Sequence, residues 1–142
     1  MNPNKSKFRF VDHTADLGII VNGVDLKDLF ETAARSMIQI IVKGKPSEKT
    51  SRIKLTVNGK DLADLMVRWL SEVLYLFEGE KAVLTDVAIK SISASHIDTI
   101  LKIIPFDPDL HEILCEIKAV TYHQIEVAKK DDHWQARVIF DV

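Results

Sequence analysis

The sequence predicts an α+β fold, in which a mostly antiparallel β-sheet is packed with two amphipathic helices in a single compact domain. Two segments with a helical spacing of apolar residues lie in the first half of the chain, whereas the second half holds runs rich in Val, Ile and aromatic residues. The breaks between those runs look too short for helical crossovers, so we expect neighbouring strands to pair antiparallel. A length of 142 residues suits one domain, 1–142, with residues 1–7 as a mobile arm.

The first half of the chain predicts a strand pair, a helix, a strand and a second helix. Strands are expected on both sides of a polar turn at 12–16. Asp25 is a candidate N-cap, with Val24 and Leu29 as a hydrophobic staple, and residues 44–47 are expected to stop this first helix. The apolar face of the helix comprises Leu26, Leu29, Phe30, Ala33, Ala34, Met37, Ile40 and Ile41.

Alternating residues at 51–57 predict a half-buried strand, and a second capped helix is expected from near Asp61 to just before Gly79. The remainder predicts strands at 83–92, 97–104, 114–127 and 134–140. We expect no internal repeat.

Composition excludes several classes of protein. With 46% hydrophobic and 28% charged residues, the chain is not disordered, and no apolar stretch is long enough to span a bilayer. Nineteen basic against 21 acidic residues give a net charge of -2, which does not support nucleic-acid binding through phosphates alone. The single cysteine, Cys115, is interpreted as a small buried thiol, and a reducing, cytoplasmic location is the default.

Common catalytic and cofactor motifs are missing from the sequence. The five glycines are scattered singly, so they form neither a dinucleotide fingerprint nor a Walker loop. The five histidines show no metal-binding pair on a helix, and no serine lies in a nucleophile elbow. Nothing in the residues predicts a hydrolase.

Polar clusters that interrupt apolar strands are the candidate functional residues. They are Asp12 to Asp16, Lys118 to His123, and Asp141 with Val142. Each also has a purely structural interpretation: Asp12 and Thr14 as turn residues, Lys118 and His123 as solvent-facing strand residues, and Asp141 as a frayed end.

The chain end is less easily explained by fraying, because Val138, Ile139 and Phe140 predict a core strand just before it. Converging oxygens of Asp141 and the terminus would suit a hard cation such as calcium or magnesium.

At these same residues the sequence resembles the archease family, small proteins that act as cofactors of the RtcB-type RNA ligase in tRNA splicing and RNA repair. The resemblance covers nearly the whole chain. It rests on His13-Thr14-Ala15-Asp16, the helix starts at Asp25-Leu26 and Asp61-Leu62 with Trp69-Leu70, the run Ile117-Lys118-Ala119-Val120-Thr121-Tyr122-His123, and the ending Val138-Ile139-Phe140-Asp141-Val142.

The resemblance implies a metal site made by Asp16, Asp141 and a main-chain oxygen of Val142. It also implies that the activity belongs to the ligase: an archease promotes guanylylation of the ligase by GTP and lets it turn over repeatedly, without being an enzyme itself. We expect Asp12, His13 and Lys118 to face the partner or its nucleotide. Strand alternation would put Lys118, Val120 and Tyr122 on one face, opposite Ile117, Ala119 and Thr121.

One departure and two alternatives accompany this resemblance. Relatives usually carry a Gly-Glu pair where this chain has Ile103-Ile104-Pro105, although His111 is in its expected place. A chaperone or specificity module for an RNA-modifying enzyme, such as a tRNA methyltransferase, is the first alternative and would need an exposed apolar surface. A free-standing metal-dependent phosphohydrolase is the second, but no general base is evident.

Overall fold

Ten strands and two helices form from the residues that the computed structural model describes, 8–11 and 16–142. The expected arm at 1–7 lies outside them. The helices are α1 (Leu26–Ile41) and α2 (Leu62–Glu78). The strands are β1 (Phe8–Val11), β2 (Asp16–Gly23), β3 (Val42–Gly44), β4 (Ser51–Asn58), β5 (Ala82–Ile92), β6 (His96–Pro105), β7 (His111–Ile113), β8 (Ala119–Val120), β9 (Glu126–Lys129) and β10 (Trp134–Asp141).

These strands form three sheets in which every described pairing is antiparallel. One sheet has the order β1-β2-β10, with β8 and β9 following one another along the far side of β10. A second has the order β4-β6-β5, and β3 pairs with β7 alone. The predicted α+β class with two helices and antiparallel strands is confirmed.

The helices begin as predicted, at Asp25 and Asp61, whose carboxylates accept hydrogen bonds from the amides three residues later. Their apolar faces pack between the larger sheets, with α1 against both β2 and β5. The indole of Trp69 donates to the carbonyl of Phe30 at 2.9 Å, which joins the two helices inside the core. No helix in the described part of the chain is long and apolar enough to cross a membrane.

Details of α1 differ from the prediction. Val24 is 77% exposed, so it does not act as a buried staple; its amide instead donates to Asp28. Ile38 is buried although the predicted face omitted it, because the helix is covered on more than one side. The helix ends at Ile41 rather than at residues 44–47, since Val42 already adopts an extended backbone and begins β3.

The prediction of one strand at 114–127 was wrong. Within this stretch only β8 and the first two residues of β9, 126–127, are strand, and there is no regular strand at 114–118 or 121–125. The amides of Leu114 and Cys115 both donate to the carbonyl of Ile41, which pulls the chain away from a straight ladder. Cys115 is only partly buried, so its interpretation as an enclosed thiol was also wrong.

The divergent loop before β7 is organised around His111, which is 7% exposed. Its Nδ1 accepts from the Asp107 amide at 3.0 Å. Its Nε2 therefore carries the proton and donates to the carbonyl of Lys45, also at 3.0 Å. The ring thus joins the loop to the segment after β3.

The expectation of no internal repeat was wrong as well. Val21 to Leu29 reads Val-Asn-Gly-Val-Asp-Leu-Lys-Asp-Leu, and Val57 to Leu65 reads Val-Asn-Gly-Lys-Asp-Leu-Ala-Asp-Leu. Each copy carries a strand into a helix, β2 into α1 and β4 into α2.

Candidate functional site

Two carboxylates meet at the end of the five-stranded sheet. Asp16 is the first residue of β2 and Asp141 the last of β10, and the antiparallel register puts them directly opposite one another. Directly opposed residues share a face, with Cβ atoms about 4.5–5.5 Å apart. Asp141 is exposed and Asp16 is partly so. Like charges in this arrangement repel unless a cation or a donor lies between them.

The strand that carries Asp141 is fixed firmly in the core. Val138, Ile139 and Phe140 are all completely buried, so the chain is held in place up to the residue before Asp141. Val142 follows and is 40% exposed. The interpretation of Asp141 as a frayed residue therefore fails, and the carboxylate pair, named here the acidic edge (Asp16 and Asp141), stands on a rigid support.

Lys118 is brought to the acidic edge by its backbone. Its amide donates to the carbonyl of Asp141 at 2.7 Å, and Ala119 pairs with Asp141 in the ladder. The side chain of Lys118 is exposed. A positive charge is thus attached to the same strand end as the two carboxylates.

The predicted alternation around Lys118 does not hold. Ile117 is fully buried and Val120 is 8% exposed, although the prediction put them on opposite faces. The reason is that β8 has only two residues, so the chain turns on each side of it and the period of two is lost. Of the predicted face of Lys118, Val120 and Tyr122, the first and last are exposed, whereas Val120 is buried.

Two contacts hold the segment that follows Lys118. The hydroxyl of Thr121 donates to the carbonyl of Ile139 at 2.8 Å. The hydroxyl of Tyr122 donates to Asp64 of α2 at 2.6 Å. Residues 118–122 are therefore tied to β10 on one side and to the start of α2 on the other.

Asp64 is the centre of this second attachment. Besides the Tyr122 hydroxyl, it accepts from the Lys60 amide at 2.8 Å and from Nε of Arg68 at 2.9 Å. The hydrogen bond from Tyr122, and next the one from the Lys60 amide, lower the pKa of the Asp64 carboxyl. The bond to Asp64 likewise raises the pKa of Tyr122. Arg68 and Tyr122 also line an open cleft of about 520 Å³.

Sequence reasoning missed Asp64 and Tyr122 as a pair. An aspartate three residues after an N-cap predicts a capping role, which Asp64 fulfils toward Lys60. Its bond to Tyr122, however, joins residues 58 positions apart, and no local pattern in the sequence predicts such a contact.

Of the predicted site residues, the structure brings together Asp16, Asp141, Val142 and Lys118. Asp12 and His13 lie outside the described residues, so their prediction is untested. Within residues 8–11 and 16–142, no three side chains of His, Cys, Asp or Glu converge closely enough to hold a metal ion. The described donors are thus two carboxylates and main-chain oxygens, which favour hard cations over zinc.

Comparison with known proteins gives a consistent result. Residues 8–142 match the model of the archease protein family. The archease of Methanosarcina acetivorans is 37% identical over 141 residues, covering 96% of both chains. That of Pyrococcus furiosus is 35% identical over 136 residues, covering 92% of this chain and 95% of the relative.

Solved structures agree with the fold. The solution structure of protein 1598 of Methanobacterium thermoautotrophicum has a TM-score of 0.68 and 27% identity, and the match covers 96% of this chain and 99% of that one. A crystal structure from Thermotoga maritima, described as an archease and possible chaperone, has a TM-score of 0.63 at 20% identity over 93% of this chain and 94% of that one. The second likeness supports the fold alone.

Proposed function

This chain belongs to the archease protein family, and we propose that it is a metal-binding activator of an RtcB-type RNA ligase in tRNA splicing and RNA repair. In this proposal it promotes GTP-dependent guanylylation of the ligase and repeated turnover. It reaches tRNA indirectly, through the ligase, and catalyses no reaction of its own. It works in the cytoplasm, the reducing compartment that a lone cysteine predicts.

The observation that carries this proposal is the acidic edge. Asp16 and Asp141 face one another at the end of a rigid strand pair, where an uncompensated pair of carboxylates would be unfavourable. A divalent cation removes that repulsion, and carboxylate and main-chain oxygens are the ligands that calcium and magnesium prefer. We propose that Asp16, Asp141 and a main-chain oxygen of Val142 hold the cation, with water completing its coordination.

Lys118 gives the edge a second property. Its backbone is bonded to Asp141, and its exposed ammonium lies free to meet an anionic group. A cation and a lysine at one strand end can together balance phosphate oxygens that neither would balance alone. In the proposal, Lys118, Asp12 and His13 face the ligase or its nucleotide.

Calorimetry of the Asp16→Ala variant tests the metal site. Calcium or magnesium affinity should fall while the urea unfolding curve stays close to that of the parent, because Asp16 lies at a strand end outside the core. Asp131→Ala, at an exposed carboxylate in a turn, is the matched control and should bind as the parent does. Unchanged affinity in the Asp16 variant would remove Asp16 from the ligand set.

The Lys118→Ala variant tests the activating surface. It should fold normally and keep its cation, yet lose stimulation of ligase guanylylation. Lys129→Ala, at an exposed lysine of β9, controls for loss of one positive charge. If Lys118→Ala stimulates as well as the parent, its side chain plays no part in activation.

A C-terminal extension is a second test of the acidic edge. Residues added after Val142 put extra chain beside the cation. Stimulation of the ligase should fall. Full stimulation by the extended chain would mean that Val142 is neither ligand nor contact.

A chaperone role for a tRNA-modifying enzyme, such as a tRNA methyltransferase, is the second candidate. One feature favours it: Ile113 and Leu114, adjacent in sequence, are 53% and 49% exposed. Ile113 also lines an apolar cavity of about 230 Å³ with Phe77 and Phe106. The family relative from Thermotoga maritima is described as a possible chaperone. Protection of a methyltransferase from aggregation, lost on Ile113→Ser and Leu114→Ser, with unchanged ligase turnover, would favour this role.

A further inference from the structure

The apolar cavity of about 230 Å³ lies between the end of α2, the chain at Phe106 and the segment 113–116. Phe77, Phe106, Ile113 and Cys115 form its apolar walls. The rings of Phe77 and Phe106 meet edge to face, with 5.9 Å between their centroids. Pockets for drug-sized ligands usually measure about 300–1,000 Å³, so this cavity suits one large side chain better than a cofactor. Aromatic walls favour an aromatic side chain, because a third ring can stack on them.

The mouth of the apolar cavity is negatively charged. Glu78 and Glu116 line it together with one cationic residue, Lys81, and all three are exposed. Among residues 8–11 and 16–142, neither glutamate forms an ion pair. The end of α2 adds to the negative charge, because the last carbonyls of a helix are partly negative and the last turn of α2 has no basic residue. The cavity therefore favours a side chain that has positive charges beside it.

The strand β1 carries such a side chain. Phe10 is 58% exposed although its ring is wholly apolar. Arg9 precedes it and is exposed, and Lys5 and Lys7 come earlier in the sequence. The first ten residues include no acidic one, and Asp12 is the first in the chain. Among the described strands β1 lies at a sheet edge, so a molecule approaching that edge meets both Phe10 and Arg9, on opposite faces of the strand.

The other exposed aromatic residues in the described part of the chain fit the apolar cavity less well. Tyr75 is 59% exposed, but it lies about one helical turn from both Glu72 and Glu78. Those carboxylates would be repelled by the glutamates at the mouth. Tyr122 is 55% exposed, and its hydroxyl is already bonded to Asp64 at 2.6 Å. Phe10 is thus the exposed ring whose surroundings complement the cavity.

We propose that Phe10 of one copy of this chain occupies the apolar cavity of a second copy. Phe10 does not line the cavity of its own chain, because pairing with β2 holds β1 in the five-stranded sheet. A reciprocal exchange, in which each copy provides Phe10 to the other, closes the assembly as a dimer, the most common symmetric oligomer. The same contact brings Arg9 toward Glu78 and Glu116 of the partner subunit, so opposite charges surround the buried ring.

This dimer goes beyond the functions proposed above and requires neither of them. Its contact involves β1 and the apolar cavity, whereas the acidic edge lies at Asp16 and Asp141. The cavity also favours the chaperone candidate, and dimer formation would cover it. Self-association is measured on the purified chain alone, so a negative result there leaves ligase activation and methyltransferase protection to be decided by their own experiments.

Sedimentation of the purified chain over a series of concentrations is the test. The parent should associate to a dimer, and Phe10→Ser should weaken the association by at least about tenfold, as truncation of a buried aromatic at an interface does. Val24→Ser, at another exposed apolar residue, is the control and should associate as the parent does. A parent that stays monomeric, or an equal association constant for Phe10→Ser and the parent, would overturn the proposal.

Mixing two variants shows whether the ring and the cavity meet. Ile113→Lys puts a positive charge into the cavity wall at a residue that is 53% exposed, so the variant should fold, as urea unfolding verifies. Phe10→Ser and Ile113→Lys should each associate weakly alone. Their mixture should form a one-to-one dimer, because the intact cavity of the first variant can accept Phe10 of the second. A mixture no more associated than its components, or association lost in Ile113→Lys but kept in Phe10→Ser, would overturn Phe10 as the occupant.

A charge exchange tests the position of Arg9. Arg9→Glu and Glu116→Lys should each weaken the dimer, and more so at low salt, where exposed charges are screened less. Combined in one chain, the two changes should give tighter association than either alone, since opposite charges again face one another. A double variant no tighter than the single ones would contradict the approach of Arg9 to Glu116 of the partner subunit.

Discussion

The repeat consists of two junctions between a strand and a helix, residues 21–29 and 57–65. The two junctions are identical at seven of nine positions and have the same local structure, but they differ in what they contact. In the first, the amide of Val24 donates to Asp28 at 2.9 Å, and Asp25 accepts from the Asp28 amide at 2.8 Å. In the second, Lys60 donates to Asp64 at 2.8 Å, and Asp61 accepts from the Asp64 amide at 2.8 Å. Each aspartate pair thus satisfies amides at the helix start that have no partner within the helix.

The two junctions differ in the hydrogen bond made by the remaining carboxylate oxygen of Asp28 and of Asp64. In Asp28 it faces the hydroxyl of Thr32, one turn along the same helix, at 3.4 Å. In Asp64 it accepts the hydroxyl of Tyr122 at 2.6 Å, from the segment whose other end is bonded to Asp141. The first copy therefore serves only its own helix, whereas the second also positions residues 118–122. Because the aspartates that cap the helix are the same in both copies, the long-range role of the second copy comes from the contact with Tyr122.

The largest expected effect concerns the glycine shared by both copies. A Cβ on Gly23 would lie 2.4 Å from the backbone nitrogen of Leu29, and one on Gly59 would lie 2.8 Å from that of Leu65. Backbone cannot move aside as a side chain can. In urea unfolding, we expect Gly23→Ala to lower the free energy of unfolding by about 1–3 kcal/mol. The loss for Gly59→Ala should be smaller.

Gly79→Ala is the control for these glycine variants. The three atoms nearest to a Cβ there all belong to the ring of Tyr75, which is 59% exposed and can rotate away. Its cost should be clearly the smallest of the three. Equal costs at all three positions would show that loss of glycine itself, rather than the close approach of strand to helix, determines stability.

An intermediate effect is expected from the bond between Tyr122 and Asp64, and it should depend on pH. The pKa of Asp64 in the folded chain lies below its ordinary value of 3.8, chiefly because of the Tyr122 hydroxyl. The stabilisation is therefore fully present above that value and is lost as the pH falls through the folded-state pKa. Tyr122→Phe should lower stability at neutral pH and approach the parent in acid.

Urea unfolding of the parent and of Tyr122→Phe at neutral and acidic pH measures this dependence. Tyr75→Phe, at an equally exposed tyrosine of α2, should change little at either pH. A stability difference between Tyr122→Phe and the parent that is the same at every pH would argue against coupling to the Asp64 carboxylate.

The smallest effect is expected from making the first copy more like the second. Val24 occupies the position of Lys60 and is 77% exposed, and only its amide is used in the cap. Val24→Lys should change the free energy of unfolding by less than about 0.5 kcal/mol in urea unfolding. A larger loss would mean that the valine side chain contributes a contact after all.

The sequence allowed most of the fold to be predicted, because most of it depends on local chemistry. Asp25 and Asp61 were recognised as N-caps from residue type and the apolar period that follows, and both helices begin there. The strand at 51–57 was recognised from its alternation of apolar and polar residues, and less exposed and more exposed residues alternate in the same way along β4. Such patterns are visible within about ten residues.

What could not be predicted depends on residues far apart in the chain. The break of 114–127 into short strands follows from bonds such as those to Ile41, which no local period signals. Asp16 and Lys118 lie in polar clusters that were recognised from the residues, and the family resemblance implied their roles. The register that opposes Asp16 to Asp141 became visible only in the sheet. The pair of Asp64 and Tyr122 was missed for the same reason.

The most direct measurement is ligase stimulation by paired variants of the two junctions. Asp64→Ala and Tyr122→Phe should each reduce stimulation of guanylylation several-fold while calorimetry shows that the cation still binds, because the acidic edge is intact but Lys118 is less firmly positioned. Asp28→Ala, the same change in the first copy, should keep both cation binding and stimulation. Tyr122→Phe retains the ring, so it remains informative if Asp64→Ala unfolds the chain. Full stimulation by Tyr122→Phe, or equal loss in Asp28→Ala and Asp64→Ala, would contradict the functional role of the second junction.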